Sequence, residues 1–111
     1  MILFKKDLVP LIASGQKTQT RRYWKSPRVK VGSVHRVNTS YYPTTGFTGL
    51  RIRILRVWEQ QLSDVTENEA VAEGFHNLHD FVEYFFCLNG GRSVAGRKLY
   101  AVEFRREEQP A

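Results

Sequence analysis

A regular alternation near the middle of the chain gives the clearest structural prediction. The apolar residues Leu50, Ile52 and Ile54 are separated by two arginines. Because successive side chains of a strand point to opposite faces, the pattern predicts a strand with one apolar face and one basic face. The alternation breaks directly after Ile54, which predicts a bulge or a change of the buried face at that point.

Two helices are predicted after this strand. Thr66 followed three residues later by Glu69 matches a capping box, and Gly74 is a natural end for that helix. Asn77 can cap a second helix, whose apolar residues are predicted to share one face: Leu78, Phe81, Val82, Phe85 and Phe86. We expect Cys87 in the same helix to pack as a small hydrophobic residue.

The first and last segments complete the predicted order of elements. Residues 1–4 form a short apolar run typical of a strand, and a short helix that ends at Gly15 follows. Residues 29–38 predict two strands joined by a tight turn at Gly32, and residues 99–104 predict the last strand. This order predicts an α+β fold, in which a small β-barrel has helices on its outside or over one end.

Length and composition narrow the class of protein. A chain of 111 residues with 41% hydrophobic and 25% charged residues is typical of one globular domain. We assign that domain to residues 1–105 and a C-terminal tail to residues 106–111. Lysines follow the first four residues, so no secretory signal is expected, and no apolar run is long enough to predict a membrane span. We therefore expect a cytoplasmic protein.

Cysteine and histidine positions argue against bound metals. The single cysteine excludes an internal disulfide and a multi-cysteine metal site. The three histidines have no neighbours with metal-ligand spacing, and the sequence contains no glycine-rich phosphate loop or dinucleotide fingerprint. We expect neither a metal nor another cofactor.

Charge is unevenly distributed along the chain. Residues 1–58 carry twelve basic residues and one acidic residue, for a net charge of +11, whereas residues 59–91 carry seven acidic residues and no Lys or Arg. The whole chain has a net charge of +6 and a pI of about 9.8. The segregation suggests a surface that faces a polyanion, and a generally basic solvated surface is an equal alternative. The acidic segment either covers the basic half or contacts a partner.

Lys17, Thr20, Arg21 and Arg22 form a polar cluster directly after Gly15. On residue types alone a polar, solvated turn is the first interpretation, and phosphate binding is the second. A third interpretation has the Thr20 hydroxyl as a nucleophile and neutral Lys17 as its base, which requires the lysine pKa to fall below its ordinary value of about 10.4. In a regular strand Lys17 and Thr20 would face opposite sides, so a shared site requires irregular backbone there.

The same cluster carries a recognisable motif. The segment GQKTQTRR, which begins at Gly15, matches the pattern G-x-K-x-x-T-x-R. It resembles the signature of the ASCH (activating signal cointegrator homology) domain, a relative of the PUA RNA-binding fold. The resemblance continues through the 29–38 turn, the 66–75 segment and the 99–104 strand. It implies a small PUA-like β-barrel with flanking helices and a cleft near the motif.

The resemblance also implies a function. The family includes small bacterial amidohydrolases that remove the acetyl group from N4-acetylcytidine, and their proposed catalytic lysine, threonine and glutamate fall on Lys17, Thr20 and Glu73 of this sequence. Other relatives are ribonucleases or RNA-binding parts of transcriptional coactivators. The implied function is recognition of RNA or a modified nucleoside, with hydrolysis of the acetyl amide as one possibility. A noncatalytic RNA-binding module and a ribonuclease are the alternatives.

The remaining candidate contacts to substrate or nucleic acid have basic or aromatic side chains: Arg21, Arg22, Tyr41, Tyr42, Arg51 and Arg53. The two arginines of the motif are candidates for holding a phosphate or an oxyanion. The tyrosine pair lies in a turn, where core packing is less demanding than in a strand. The arginines of the alternating strand form either a nucleic-acid-binding stripe or a solvated face. The basic residues of the glycine-rich segment 90–98 are either a phosphate contact or part of a disordered loop.

Overall fold

The computed structural model describes residues 1–42, 45–88 and 99–107 of the chain. Its five strands are β1 (Ile2–Leu3), β2 (Gln19–Arg22), β3 (Val34–Asn38), β4 (Phe47–Gln60) and β5 (Leu99–Glu107). Its three α-helices are α1 (Val9–Ser14), α2 (Glu67–Ala72) and α3 (Leu78–Leu88). Single 3₁₀ turns precede α1 and α2. None of the helices in the described part of the chain has the length and apolar character needed to cross a membrane.

The five strands form one curled sheet in the order β1-β3-β4-β5-β2. The β1–β3 pair is parallel and the other pairs are antiparallel. The curl produces a half-barrel with flanking helices, which confirms the predicted α+β, PUA-like class. The edge strands β1 and β2 are bridged by a side chain: Arg22 Nη2 donates a hydrogen bond to the backbone oxygen of Leu3 at 2.6 Å. The opening of the half-barrel therefore lies beside the predicted motif.

The central strands supply the main core. Ile52 and Ile54 of β4 are fully buried, and they pack with Val102 and Phe104 of β5. The inward direction of these isoleucines is the one predicted by the alternation. The pairing of β4 with β5 shifts register between Ile54 and Arg56, which confirms the predicted bulge.

A second apolar cluster joins the helices to the sheet. Phe81 and Phe85 of α3 are buried in it, together with Ala70 of α2. The prediction was wrong at two positions of α3, since the side chain of Phe86 is 42% exposed and Cys87 is also exposed. Each residue of an α-helix is rotated by about 100° from the previous one, so Phe86 lies beyond the buried stripe and Cys87 lies nearly opposite it.

Other boundaries differ from the predicted ones. Residues 29–31 form turns and bends rather than a strand, and Gly32, with a φ of 88°, leads directly into β3. The last strand extends to Glu107, because its final residues continue the ladder with β4 and Glu107 also accepts hydrogen bonds from Arg53. The glycine-rich segment 90–98 and residues 108–111 of the predicted tail lie outside the described residues. The domain boundary at residue 105 stays a prediction.

The capping box of α2 generates a test of the local structure. Thr66 Oγ1 accepts a hydrogen bond from the Glu69 amide at 3.2 Å, and Glu69 Oε1 accepts one from the Thr66 amide at 2.9 Å. We expect Thr66→Ala to lower the free energy of unfolding by about 1 kcal/mol in urea denaturation. Thr66→Ser keeps the hydroxyl and should retain most of the stability. Equal losses in the two variants would contradict the role of the hydroxyl.

Candidate functional site

Two residues of the motif and one residue more than fifty positions later line one cavity of about 280 Å³. Lys17 lies in irregular backbone before β2, Thr20 lies within β2, and Glu73 is the C-cap of α2. The Lys17 amide donates to the oxygen of Leu11 at 2.9 Å, and the Thr18 amide donates to an oxygen at the end of α2 at 2.7 Å. These hydrogen bonds hold the segment between two helices, and the irregular backbone lets Lys17 and Thr20 face the same cavity.

The Glu73 carboxylate is buried between two cationic side chains. Lys17 Nζ donates to Glu73 Oε1 at 3.2 Å and to the Glu73 backbone oxygen at 2.7 Å. Arg21 Nη1 donates to Oε2 at 3.0 Å. The sequence predicted Glu73 at the rim of a cleft, whereas its side chain is only 6% exposed. The following Gly74 has a φ of 104°, a backbone conformation that favours glycine, and a Cβ there would lie 2.9 Å from the Cδ1 atom of the Leu11 side chain.

Arg21 is fully committed to protein contacts. Its Nε donates to Gln60 Oε1 at 2.8 Å, and its Nη2 donates to Gln19 Oε1 at 3.0 Å and to Glu69 Oε2 at 2.6 Å. Together with the contact to Glu73, these bonds use all three nitrogens of a guanidinium that is 0% exposed. Arg21 therefore orients the two carboxylates, although the sequence suggested direct contact with substrate. That contact remains a prediction.

Arg22 and Thr20 form a different side of the site. Alternation along β2 places these two residues on one face, and Arg22 Nε donates to Thr20 Oγ1 at 3.1 Å. The guanidinium carbon of Arg22 also lies 4.9 Å from the centre of the Phe4 ring. Because the Thr20 oxygen accepts this bond, its own proton remains available for a ligand or a base.

Burial lowers the pKa of Lys17 below its ordinary value of 10.5. The charge of Glu73 and its hydrogen bond act in the opposite direction, and the positive charges of Arg22 and Arg21 add to the lowering. The amine is consequently easier to deprotonate than that of an exposed lysine. Among the described residues, no hydrogen bond joins Lys17 to Thr20.

The cavity also has an aromatic part. It is formed by side chains from α3 and from the turn before it: Phe75, Phe81, Tyr84 and Phe85. The Phe75 ring centre lies 5.0 Å from that of Tyr84. The Tyr84 hydroxyl is buried and has no hydrogen-bond partner within the part of the chain that the structure describes. Burial raises the pKa of this phenol, so the hydroxyl stays protonated and can donate to a ligand.

The sequence did not single out Tyr84 as a site residue. It is the one tyrosine in the apolar α3 segment LHDFVEYFFCL, and a polar group in such a stripe was the available signal. Helical periodicity alone does not distinguish a hydroxyl at the core edge from one that faces a cavity. The packing of α3 over the opening of the half-barrel makes that difference.

Four other predicted contact residues do not line this cavity. Tyr41 and Tyr42 are 79% and 73% exposed. Arg53 Nη2 pairs with the Glu107 carboxylate of β5 at 2.6 Å. The Arg51 guanidinium carbon lies 6.0 Å from the centre of the Phe47 ring in β4. Their predicted contacts with nucleic acid stay predictions. Residues 1–42, 45–88 and 99–107 contain no group of three or more His, Cys, Asp or Glu side chains placed to hold a metal ion.

The buried guanidinium generates a test of how the site is held together. We expect Arg21→Met to lower the free energy of unfolding by about 3 kcal/mol or more, because two carboxylates lose their main cationic partner. Arg56→Met is the matched control, since Arg56 also pairs with a glutamate but is 61% exposed. The Arg56→Met variant should lose less than about 1 kcal/mol of unfolding free energy in the same denaturation experiment. Similar losses in both variants would contradict the proposed weight of the buried network.

No family model and no curated protein matches the sequence. Solved structures do match. Protein EF3133 from Enterococcus faecalis, which carries the family-model description DUF984, is 20% identical with a TM-score of 0.68, and the match covers 89% of this chain and 66% of that one. The ASCH domain from Lactobacillus crispatus is 21% identical with a TM-score of 0.63, over 87% of this chain and 68% of that one.

A variant of ZmASCH from Zymomonas mobilis also matches. It is 17% identical with a TM-score of 0.65, and the match covers 98% of this chain and 68% of that one. This chain thus spans about two thirds of the length of these three structures. These structural similarities establish the fold of the chain. They agree with the resemblance to ASCH domains that the motif beginning at Gly15 indicated. The chain therefore has the fold of ASCH domains.

Proposed function

We propose that the cavity beside β2 recognises a base of RNA or a modified nucleoside. The observation that carries the proposal is the lining of one cavity by both polar side chains, from the motif segment and the end of α2, and aromatic side chains, mainly from α3. A nucleobase has a flat aromatic face and a polar edge, and RNA-binding proteins commonly stack the face on aromatic side chains and hydrogen-bond the edge. The likeness to ASCH-domain structures supports this proposal at the level of the fold.

The polar groups of the cavity include both donors and acceptors. Lys17 and Tyr84 can donate to a ring carbonyl oxygen, and the Glu73 carboxylate can accept from an exocyclic amine. The Thr20 hydroxyl can do either. A pyrimidine of the cytosine type carries both kinds of group on its edge, which makes it a suitable ligand for these polar groups.

The size of the cavity favours one unpaired nucleoside. Its volume of about 280 Å³ lies near the lower end of ligand pockets, which span roughly 300–1,000 Å³. A double helix offers no separate base to a recess of this size, because its bases are stacked and paired. The expected ligand is therefore a free nucleoside or a base extruded from a single strand.

The Thr20 hydroxyl provides a test of recognition. We expect Thr20→Val to weaken binding of cytidine and of N4-acetylcytidine by about tenfold in calorimetric titrations, since one buried hydrogen bond is lost while the shape is kept. Thr18→Val makes the same chemical change two residues earlier, at a position that does not line the cavity, and should bind like the wild type. Equal weakening by both variants, or saturable binding by neither the wild type nor the control, would contradict the assignment.

A second candidate function is hydrolysis of the acetyl amide of N4-acetylcytidine. It is favoured by the lowered pKa of Lys17 and by the position of Lys17, Thr20 and Glu73 in the lining of one cavity. Thr20 Oγ would bond to the acetyl carbon while its proton passes to neutral Lys17. The C–N bond would then break as Lys17 returns the proton to the departing nitrogen. Water would cleave the acyl-Thr20 ester, release acetate and restore the hydroxyl proton through the same amine.

This mechanism requires one rearrangement. The Lys17 amine now contacts Glu73, so it must reach the Thr20 hydroxyl when substrate is bound. Catalytic hydrogen bonds often tighten only in the substrate complex. The cationic Arg22 beside the Thr20 oxygen would favour the ionised form of that hydroxyl and so assist the attack.

Turnover distinguishes the hydrolase from a noncatalytic RNA-binding module. We expect Lys17→Met to lower the rate of N4-acetylcytidine hydrolysis by about 100-fold or more, measured by mass detection of cytidine. The wild-type rate should rise with pH as Lys17 loses its proton, and the rise should begin below the pH expected for an ordinary lysine, because burial lowers this pKa. The Thr18→Val variant should keep the wild-type rate.

Two outcomes would replace the hydrolase proposal. If the wild type and Lys17→Met are equally inert at high protein concentration while nucleoside binding persists, the protein is a noncatalytic binding module. If RNA oligomers are shortened by the wild type and remain whole with Lys17→Met, the site is that of a ribonuclease.

A further inference from the structure

A second cavity of about 260 Å³ adjoins the first one. Leu3 and Arg22 line both cavities, so the two recesses meet at the edge strands of the half-barrel. Beyond this shared wall, the second cavity is lined by polar and aromatic side chains from the segments around β3: Trp24, Arg28, His35 and Tyr41. The sequence analysis assigned a contact role to Arg22 and Tyr41 but predicted no second recess.

The charge of the second cavity is positive. None of the described residues that line it is a carboxylate, and Arg28 has no ion-pair partner within the described part of the chain. Burial lowers the pKa of His35 below its ordinary value of 6.5, so this ring adds little charge at pH 7, whereas both arginines are cationic. Such a lining favours an anionic ligand, above all a phosphate with its several acceptor oxygens.

Aromatic side chains accompany these cations. Trp24 is partly buried and packs against the main core, which fixes its ring, whereas Tyr41 is 79% exposed and free to adjust to a ligand. Aromatic platforms beside basic groups are the arrangement that proteins use for single-stranded nucleic acid, with bases stacked on rings and phosphates held by arginine.

Arg22 lies where a linkage between two ligands would run. Its Nε and Nη2 bond to Thr20 and to the Leu3 backbone, but its Nη1 has no hydrogen-bond partner among the described residues. The protein therefore holds this guanidinium firmly and leaves one nitrogen available at the wall between the recesses. A phosphodiester that passes from one recess to the other would meet that nitrogen.

We propose that the second cavity binds the phosphate and base of the nucleotide next to the one held in the first cavity. The natural ligand is then a segment of single-stranded RNA rather than a free nucleoside. This inference rests on the proposed function, because it takes the first cavity as the site of the recognised base.

The experiment compares a nucleoside with dinucleotides in calorimetric titrations at one fixed salt concentration. The ligands are cytidine and the two RNA dinucleotides that carry cytidine at the 5′ or the 3′ side of adenosine. We expect at least one dinucleotide to bind the wild type about tenfold more tightly than cytidine does, because a stacked base and a phosphate contact are added.

Two variants locate the added affinity. Arg28→Gln and Tyr41→Ala should each remove most of the dinucleotide advantage and leave cytidine binding unchanged. Both side chains are exposed, so the fold should tolerate the changes. Lys25→Gln is the matched control, because it removes the same charge from the same exposed segment at a position that does not line the second cavity.

The possible failures are distinguishable. If cytidine binds but neither dinucleotide binds more tightly, the second cavity is not a nucleotide site, and the proposed function stands. If Lys25→Gln weakens dinucleotide binding as much as Arg28→Gln does, the attraction is diffuse and the inference is overturned. If the wild type binds none of the three ligands, the proposed function fails together with the inference.

Discussion

The rest of the site depends on the ion pairs of the buried Glu73 carboxylate. An ionised carboxylate removed from water is costly unless cations and hydrogen-bond donors replace its solvation. Lys17 and Arg21, both in the motif segment, replace the water that would solvate this carboxylate. Their ion pairs with Glu73 connect the end of α2 to the start of β2. Gly74 supplies the positive φ with which the chain turns away directly after Glu73. The chemistry of the motif and the packing of α2 are therefore one constraint.

The neighbouring arginines of the motif have different contacts as a result of this constraint. Arg21 donates to glutamates and glutamines, whereas Nη1 of Arg22 has no hydrogen-bond partner in the part of the chain that the structure describes. The two arginines are adjacent in the sequence, but alternation along β2 turns them to opposite faces. One arginine thus supports Glu73, while the other lines both cavities. Counting the basic residues of the motif does not reveal this difference between the two arginines.

Local patterns predicted the parts of the fold that depend on local physics. The alternation up to Ile54 gave β4, its buried face and its bulge, and the Thr66 capping box gave the start of α2. The motif and the resemblance also led to Lys17 and Glu73, which do converge on one cavity. The placement of Tyr84 required the tertiary packing of α3 over the sheet, and the extension of the last strand required pairing with residues some fifty positions earlier. Neither is encoded in the periodicity of a short segment.

The fold explains part of the uneven distribution of charge along the chain. The acidic segment 59–91 supplies Glu69 and Glu73, which neutralise Arg21 and Lys17 from the basic first half. Part of the segregation seen in the sequence is therefore an internal contact that holds the site. The cations that this segment does not neutralise carry the potential available to a polyanion. Arg28 is one of them, and it lines the same recess as Arg22, so positive potential is concentrated at this edge of the sheet.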